Sequence, residues 1–393
     1  MSRAKPRVMH VITRLEPGGS SRNTVDSCAA QAEYADVALV SGPHPDSAAL
    51  IKLLPHAVKY VEIPDLQREL SAGKDLRALL SIRREIAAFR PDIVHTHTSK
   101  AGALGRLAAA LYNTPFARTK IVHTPHGHLL YGYYGFWKTL GFRLAEMLLA
   151  LLTDRLIALT EGEKRESAAA GIGAPEKWTA IHSGIDLGPA ANPVSKADLG
   201  LPEGCVAVGT IARLEPVKGV EYLLRAAAFL KDSVPSLRTV IIGGGSLEAG
   251  LRALAEELGI GDKVIFTGFR ADAAALLGAL DIYAQPSLNE AMGRAPLEAQ
   301  ALGLPAVVTD ACGLPEIVAP GRTGLVARRG DEGSLASAIK VLAVAPELRA
   351  RMGAAARDWA LEKDEGGLPR FGAASMNARL KKFYAEVLGG SGG

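Results

Sequence analysis

Two glutamates eight positions apart, Glu290 and Glu298, have the spacing that most directly suggests chemistry. A strand is predicted to end near Gln285, a loop carries Glu290, and a helix with Pro296 in its first turn is predicted to contain Glu298. Both carboxylates can accept hydrogen bonds from sugar and ribose hydroxyls. The first N–H groups of a helix have no acceptor inside it, which predicts a diphosphate site at this helix start. The backbone groups concerned belong to Met292, Gly293, Arg294 and Ala295.

Two cations, Arg213 and Lys218, follow another predicted buried strand and precede a helix. At the carboxyl end of a strand, they can neutralise the negative charge that develops on a departing diphosphate. The chain contains no Asp-x-Asp pair, which is the usual carboxylate clamp for a metal-bound nucleotide sugar. The sequence therefore predicts a metal-independent reaction that needs no cofactor beyond a nucleotide-sugar donor.

A group of histidines in the first half of the chain could suggest a metal site. The sequence has no acidic ligand at a fixed spacing among them, so a structural or substrate-lining role is favoured over a metal site. His126, in a Pro-His-Gly loop, is the best candidate for catalysis. The five residues are His95, His97, His123, His126 and His128.

Three features together resemble the GT-B glycosyltransferases of family 4: the Glu290-x7-Glu298 spacing, the Arg213-Leu-x3-Lys218-Gly run, and a Gly-Gly loop after the first strand. The likeness spans residues 7 to about 388. It implies an α/β fold with two Rossmann-like, doubly wound domains facing a central cleft. It also implies a retaining transfer of a hexose from a UDP- or GDP-linked sugar to a hydroxyl of a saccharide or lipid-linked acceptor. Retention needs no carboxylate nucleophile if the departing phosphate takes the acceptor's proton on the same face.

The resemblance also implies roles for individual residues of the second half. Glu298 holds the ribose hydroxyls and Glu290 holds the donor hexose. Arg213 and Lys218 bind the diphosphate, and with Glu290 they are the catalytic residues expected in this half. Arg270, in a Gly-Phe-Arg sequence after a strand, lies where the base is usually held.

In the first half, His126 matches the family's histidine beside the donor sugar. Gly18 and Gly19 match the loop that approaches the phosphates, where a missing side chain permits close contact. Two positions depart from the pattern: Ala291 replaces a common glycine, and Ser183 replaces a common asparagine. These departures weaken any inference about which sugar is used.

The elements that must position these residues alternate between strands and helices, which predicts βαβ units and parallel sheets. The alternation lapses into Pro, Ala, Asn and Gly around residues 186–202, where we expect the domain boundary. Residues 1–190 are then an acceptor-binding domain and residues 203–370 a nucleotide-sugar-binding domain. By the resemblance, a helix at residues 371–388 crosses back to the first domain.

Charge is unevenly distributed along the chain. Residues 1–190 contain 23 Lys+Arg and 18 Asp+Glu, a net +5, and the remainder contains 22 and 23, a net −1. The basic residues are ordinary solvated side chains, or they face an anionic acceptor or membrane surface; they are too sparse for a nucleic-acid binder. Peripheral membrane contact through the N-terminal domain is therefore a hypothesis. It rests on a basic helix (Lys74, Arg77, Arg83, Arg84 and Arg90) and an aromatic run (Tyr131, Tyr133, Tyr134, Phe136 and Trp137).

Three widely spaced cysteines and no recognisable signal peptide favour a reducing compartment. We expect a cytoplasmic enzyme, with the inner face of a membrane as its hypothetical docking site, in cell-envelope polysaccharide biosynthesis. Two alternatives remain: a nucleotide-sugar 2-epimerase of the same fold, and a non-catalytic two-lobed sugar-binding protein. The first requires several acids and bases to move a proton at carbon, and the second is usually exported.

Overall fold

The computed structural model describes residues 5–115, 117–188 and 192–389, and the chain divides into two compact units. Within the described residues, the N-terminal unit contains the chain up to Leu130, Gly135–Gly184, and the chain from Ala373 onward. The C-terminal unit contains Tyr131–Tyr134 and Ile185–Gly372. The boundary expected at residue 190 lies outside the described residues. Apart from the short segment Tyr131–Tyr134, the chain changes unit at 184/185 and at 372/373.

The N-terminal unit is built on a seven-stranded parallel sheet with the order β3-β2-β1-β4-β5-β6-β7. Its strands are β1 (Arg7–Arg14), β2 (Asp36–Gly42), β3 (Lys59–Glu62), β4 (Ile93–His97), β5 (Lys120–Thr124), β6 (Arg155–Ala158) and β7 (Trp178–Ala180). Its first helices are α1 (Gly19–Gln31), α2 (Ser47–Ile51), α3 (Ala72–Phe89), α4 (Ser99–Tyr112), α5 (Phe136–Leu151) and α6 (Glu161–Ala169). The central strands β1 and β4 are buried on both faces because helices cover both sides of a parallel sheet, and they contain polar as well as apolar side chains.

The C-terminal unit contains a six-stranded parallel sheet with the order β10-β9-β8-β11-β12-β13. The strands are β8 (Val206–Ile211), β9 (Leu237–Ile242), β10 (Val264–Gly268), β11 (Ile282–Gln285), β12 (Ala306–Thr309) and β13 (Gly324–Ala327). The helices are α7 (Val220–Leu230), α8 (Glu248–Glu257), α9 (Ala273–Leu276), α10 (Arg294–Ala301), α11 (Glu332–Ala343) and α12 (Pro346–Ala360). The strand order reverses between β8 and β11, and in doubly wound sheets ligands bind beside the carboxyl ends of such strands.

The last helix, α13 (Ala373–Val387), belongs to the N-terminal unit. Met376, Leu380, Phe383 and Tyr384 of this helix are buried in one apolar cluster with residues of α1 and of the sheet. Burying each such side chain stabilises the fold by about 1.5–3 kcal/mol. None of the helices in the described residues is long and apolar enough to cross a membrane.

The segment Tyr131–Tyr134 departs from the sequence prediction, which assigned it to the N-terminal domain. It packs in the C-terminal unit, where the Asn289 amide donates to the Tyr131 carbonyl at 3.0 Å. The Arg329 guanidinium lies 4.5 Å from the centre of the Tyr131 ring. This cation–π contact and the hydrogen bond from the Asn289 amide hold the segment in the C-terminal unit, although the chain on both sides of it belongs to the N-terminal unit.

Candidate functional site

Glu290 stands at the end of a buried polar row that begins on β11. The Tyr283 hydroxyl donates to Gln285 Oε1 at 2.8 Å, and Gln285 Nε2 donates to Ser287 Oγ at 2.8 Å. Ser287 Oγ then donates to Glu290 Oε2 at 3.4 Å. Alternate residues of a strand share one face, which places Tyr283 and Gln285 in line on β11, and Ser287 continues the row just after the strand ends. The row orients the Glu290 carboxylate from within the fold.

Lys218 reaches the same carboxylate from the loop between β8 and α7. Its Nζ lies 2.5 Å from Glu290 Oε2, and the two side chains are only 20% and 18% exposed. The loop turns at Gly219, whose φ is +62° and where an added Cβ would lie 2.2 Å from the Pro286 carbonyl oxygen. Glycine is required at this turn, which places the lysine beside the glutamate.

Arg213 follows β8 on a backbone that is supported by a glycine loop after β9. An added Cβ at Gly243 would lie 2.0 Å from the Ala212 carbonyl oxygen, and one at Gly245 would lie 2.6 Å from the Leu214 carbonyl oxygen. Backbone therefore packs directly on backbone here. The Arg213 side chain is 48% exposed, with its guanidinium 3.7 Å from the Glu215 carboxylate.

Helix α10 begins at Arg294, so Pro296 lies in its first turn as predicted, and Gly293 precedes that turn with φ +86°. An added Cβ at Gly293 would lie 2.7 Å from Leu314 Cδ2. Met292 is buried, whereas Arg294 and Ala295 are half-buried. The positive end of the helix dipole and the first N–H groups are therefore at the segment where the sequence predicts a diphosphate.

Glu298 lies in α10 and is half-buried. Burial raises the pKa of the Tyr283 phenol, and the negative charges of Glu298 and Glu290 raise it further. Both carboxylates are therefore close to the same buried ring. The structure brings Lys218 and Glu290 together at the carboxyl ends of β8 and β11, and Glu298 lies on the helix that follows the Glu290 loop.

Arg270 is more exposed than these residues. Its Nε and Nη2 donate to the two carboxylate oxygens of Asp272 at 2.7 Å each, on a surface loop after β10. The Gly268 carbonyl accepts from the Gly243 N–H at 3.0 Å, so this loop adjoins the glycine loop under Arg213. To contact the base of a nucleotide, the Arg270 guanidinium would have to rearrange its two hydrogen bonds with Asp272.

In the N-terminal unit, Gly18 precedes α1 at the carboxyl end of β1. An added Cβ at Gly18 would meet no heavy atom of the described residues within 4 Å, so a ligand can approach its backbone closely. Gly18 and Gly19 are both exposed. They lie at the start of a 13-residue helix, where the helix dipole favours an anion.

His126 follows β5 in a loop that is held from two sides. Its φ is +58°, a conformation that non-glycine residues rarely adopt. Its Nε2 lies 2.9 Å from His97 Nδ1. The next N–H, that of Gly127, donates at 2.8 Å to Glu163 Oε1, while the Leu159 N–H donates at 2.7 Å to Oε2. Burial raises the pKa of the Glu163 carboxyl.

The other histidines of the predicted group are buried and hydrogen-bonded. His95 bonds to the Tyr384 hydroxyl at 2.6 Å and to Thr124 Oγ1 at 2.8 Å. His123 bonds to Thr96 Oγ1 at 2.9 Å, and His128 bonds to Glu166 at 2.8 Å. Burial lowers the pKa of His95 and of His123 well below its usual value.

Sequence reasoning missed His10, which joins this group from β1. Ring nitrogens of His10, His95 and His97 lie within 4.8 Å of one another, a spacing that could accommodate a metal ion. Both nitrogens of each ring are hydrogen-bonded to neighbouring side chains, however, so a metal ion would have to displace those bonds. Glu163 was also missed, although Thr160-x-x-Glu163 is a local signal for a helix start. No local signal marks His10, because its partners Gln31 and His97 are far away in the sequence.

Comparison with known proteins gives matches in both halves of the chain. A family model described as Glycosyl transferases group 1 matches residues 192–359, and one described as Glycosyltransferase Family 4 matches residues 17–188. The UDP-Gal:alpha-D-GlcNAc-diphosphoundecaprenol alpha-1,3-galactosyltransferase of Escherichia coli is 32% identical over 273 residues, which cover 67% of this chain and 70% of that protein.

Two further matches extend this comparison. A D-inositol 3-phosphate glycosyltransferase of Streptomyces avermitilis is 33% identical over 310 residues, covering 72% of this chain and 66% of that protein. The crystal structure of Anabaena HepE in complex with UDP and glucose superposes with a TM-score of 0.79 at 20% identity, over 97% of this chain and 100% of that chain. At this identity, the structural likeness shows a shared fold.

Proposed function

This chain belongs to the group 1 glycosyl transferases and to Glycosyltransferase Family 4, and on that premise we propose a specific reaction for it. The chain is a glycosyltransferase that uses a nucleotide sugar. We propose that it transfers a hexose from a UDP- or GDP-linked donor, with retention of configuration, to a hydroxyl of a lipid-linked or saccharide acceptor. The proposal rests mainly on the Lys218–Glu290 pair beside Glu298 and the start of α10.

The C-terminal unit is proposed to hold the donor. Glu298 accepts hydrogen bonds from the ribose hydroxyls, and Glu290, oriented by Lys218 and Ser287, accepts them from the hexose. Lys218 and Arg213 stabilise the charge that develops on the leaving diphosphate, together with the N–H groups at the start of α10. Arg270 is proposed to contact the base.

In the N-terminal unit, His126 is proposed to bind the donor hexose, and Gly18 and Gly19 to approach its phosphates. We propose that the reaction requires no metal ion, because Arg213, Lys218 and the α10 dipole supply positive charge on the protein side. The departing phosphate is proposed to take the acceptor's proton. No protein nucleophile takes part in this mechanism.

The experiment that tests the donor site is a thermal-shift panel of UDP, GDP, ADP and their sugars, with and without EDTA. A ligand at a hundred times its Kd stabilises the folded state by about 2.7 kcal/mol. We expect one nucleotide to raise the melting temperature equally with and without EDTA. Loss of the shift in EDTA would overturn metal independence, and no shift with any nucleotide would overturn the donor site.

Glu298→Gln and a control variant, Glu257→Gln, sharpen this experiment. Glu257 is exposed at the last residue of α8, at the opposite end of that helix from the glycine loop under Arg213. We expect Glu298→Gln to reduce the nucleotide-induced shift and Glu257→Gln to retain it. Equal shifts in both variants would remove Glu298 from the nucleotide site.

For the acceptor side, we propose that α5 lies on an anionic membrane surface. Large apolar side chains project from it along one stripe, with Trp137 80%, Leu148 66% and Leu151 76% exposed. The stripe from Trp137 to Leu151 is about 21 Å long at 1.5 Å per residue. Lys138 and Arg143 are exposed on the same helix. An apolar stripe with flanking cations is typical of a helix that lies in a membrane interface. The Escherichia coli relative, which acts on a diphosphoundecaprenol-linked sugar, supports a lipid-linked acceptor.

Vesicle flotation tests this surface. We expect the full chain to float with phosphatidylethanolamine vesicles that contain about a third phosphatidylglycerol, and to float weakly with phosphatidylcholine vesicles. Trp137→Ser with Leu148→Ser should abolish flotation, because both substitutions remove apolar area from the stripe. Phe229→Ser is the matched control, since Phe229 is 65% exposed on α7 of the other unit. Equal flotation of all three proteins would exclude α5 as the membrane contact.

Neither alternative function is favoured by an observation. Both family models describe glycosyl transfer. Nothing in the comparisons supports the 2-epimerase, and membership of an enzyme family weighs against a non-catalytic sugar-binding protein. The discriminating measurement is whether added acceptor, and not water alone, releases the nucleoside diphosphate.

A further inference from the structure

Four side chains of the N-terminal unit form one continuous line of hydrogen bonds. Gln31 Oε1, on α1, lies 2.8 Å from His10 Nε2, on β1. His10 Nδ1 lies 2.8 Å from His97 Nε2, at the end of β4. His97 Nδ1 lies 2.9 Å from His126 Nε2, in the loop after β5. Gln31, His10 and His97 are all buried, so the line runs from the interior to the candidate catalytic histidine.

The chemistry of the first group sets the direction of the whole line. An amide oxygen can only accept, so His10 Nε2 carries the proton that faces Gln31, and a neutral imidazole has only one N–H. His10 Nδ1 must then accept from His97 Nε2–H. By the same argument, His97 Nδ1 accepts from His126 Nε2–H, which leaves the lone pair of His126 on Nδ1.

Burial keeps the inner rings neutral. It lowers the pKa of His10 to about 4, against a raising effect of the Gln31 hydrogen bond, and it lowers the pKa of His97 well below its usual value. The charges that a protonated His97 would meet belong to other histidines, which oppose its imidazolium form. Each inner ring therefore has one donor and one acceptor nitrogen, as the line requires.

We propose that Gln31, His10 and His97 are positioning residues that hold His126 in the Nε2–H tautomer. The lone pair of His126 then lies on Nδ1, a buried atom, which accepts from a hydroxyl of the donor sugar once the ligand gains access to it. The strained φ of +58° at His126 and the anchoring of the Gly127 N–H by Glu163 fix the backbone of the same loop. The contact with sugar rests on the proposed function, whereas the tautomer does not.

His95 is a natural control for this proposal. It is as buried as His97 on the same strand, and the two ring centroids are 4.2 Å apart. Its nitrogens bond to Tyr384 and Thr124 and to no member of the line, although Tyr384 itself also interacts with the Gln31 side chain. Removing the His95 ring should cost stability without changing the tautomer of His126.

The direct test is nitrogen NMR on the full chain with ¹⁵N-labelled histidine. Two-bond nitrogen–proton spectra distinguish Nδ1–H, Nε2–H and doubly protonated rings, and the His126→Ala variant assigns the His126 signals. We expect the Nε2–H pattern for His126 at pH 7.5. An Nδ1–H pattern in the unmodified protein would overturn the proposal without any variant.

Gln31→Met tests whether Gln31, at the buried end of the line, controls the tautomer of His126 at the other end. Without its acceptor, His10 can reverse, and we expect His126 to shift to the Nδ1–H form, three hydrogen bonds away. The kcat/KM for the donor should fall about tenfold, the effect of losing a single hydrogen bond. His95→Leu should lower the melting temperature and leave the tautomer unchanged. An unaltered His126 pattern in Gln31→Met would overturn the proposal.

Two substitutions at His97 separate hydrogen bonding from packing. His97→Asn keeps an oxygen near the position of Nδ1, so it should retain the His126 tautomer and keep kcat/KM within about threefold. His97→Leu should lose the Nε2–H tautomer of His126 and should show a reduced kcat/KM. If the tautomers change as expected but no protein in the series transfers sugar from any donor, the proposed function fails and the positioning line stands.

Discussion

Replacing Lys218 by methionine tests the centre of the donor site, because this lysine has two roles in the proposed mechanism. In the unliganded protein it pairs with Glu290 at 2.5 Å, with both side chains about four-fifths buried. In the proposed reaction it stabilises the negative charge on the leaving diphosphate. Methionine preserves most of the volume of the side chain and removes its charge.

The two roles predict effects of different size. A partly buried ion pair of this kind contributes about 1–2 kcal/mol, between the values for exposed and buried pairs. Its loss should lower the melting temperature by about 2–4 °C per kcal/mol for a unit of this size. Removing one group that stabilises transition-state charge typically lowers kcat by about a hundredfold to a thousandfold, or about 3–4 kcal/mol. Catalysis should therefore suffer far more than stability.

Lys196→Met is the matched control. Lys196 Nζ lies 2.6 Å from Asp281 Oδ2, with side chains 32% and 22% exposed, in the same unit. Asp281 immediately precedes β11, at the opposite end of the strand from Glu290. This variant should show a similar fall in melting temperature and an unchanged kcat.

The assay couples release of the nucleoside diphosphate to acceptor addition, and melting temperatures are measured on the same preparations. If kcat of Lys218→Met stays within about threefold of the unmodified enzyme while the melting temperature falls, the lysine is only a structural partner of Glu290. If both lysine variants lose kcat equally, the loss reflects stability and the charge argument fails.

Three other changes have definite expected outcomes. Glu298→Ala should raise the nucleotide Kd by about tenfold in calorimetry, the effect of lost ribose hydrogen bonds, whereas an unchanged Kd would exclude the contact. Gly293→Ala should lower the free energy of unfolding, measured in urea, by about 1–3 kcal/mol. The φ of Gly293 is +86°, and an added Cβ would collide with the Leu314 side chain. Gly200→Ala should cost less, since Gly200 has a similar φ of +68° in open space among the described residues; equal losses would contradict the crowding argument. Finally, the pKa of His10 is about 4 in the folded protein, against an ordinary value of 6.5 in the unfolded chain. Between these two values the unfolded chain binds more protons than the folded protein. The free energy of unfolding should therefore fall by about 3 kcal/mol, through this ring, as the pH drops from 6.5 to 4. Urea titrations across that range in the unmodified protein and His10→Asn should show a smaller fall in the variant.

Local sequence patterns were sufficient to predict most of the elements of the two sheets. The apolar runs at residues 206–211 and 306–309 are strands in the structure, because parallel strands covered on both faces are almost continuously apolar. The helix start before Pro296 was also predictable, since proline at that position costs no hydrogen bond. The carboxylate spacing and the two cations likewise indicated a donor site from sequence alone.

The contacts that give the candidate site its chemistry depend on strand order. Lys218 and Glu290 are 72 residues apart and meet because β8 and β11 are neighbours. The placement of Tyr131–Tyr134 in the C-terminal unit similarly depends on Asn289 and Arg329, and the sequence around the tyrosines contains no signal for it.

The hydrogen-bonded line from Gln31 to His126 shows most clearly which features follow from the sequence and which depend on the tertiary structure. From the sequence, His126 was a candidate by its loop and its resemblance to a family, and His97 was one of several buried or substrate-lining histidines. Only the tertiary structure adds His10 and Gln31, because β1 lies beside β4 and β4 beside β5, while α1 packs over them. The tautomer of an imidazole depends on the hydrogen-bond partners of both its nitrogens, and residues distant in the chain supply those partners only after the sheet has formed.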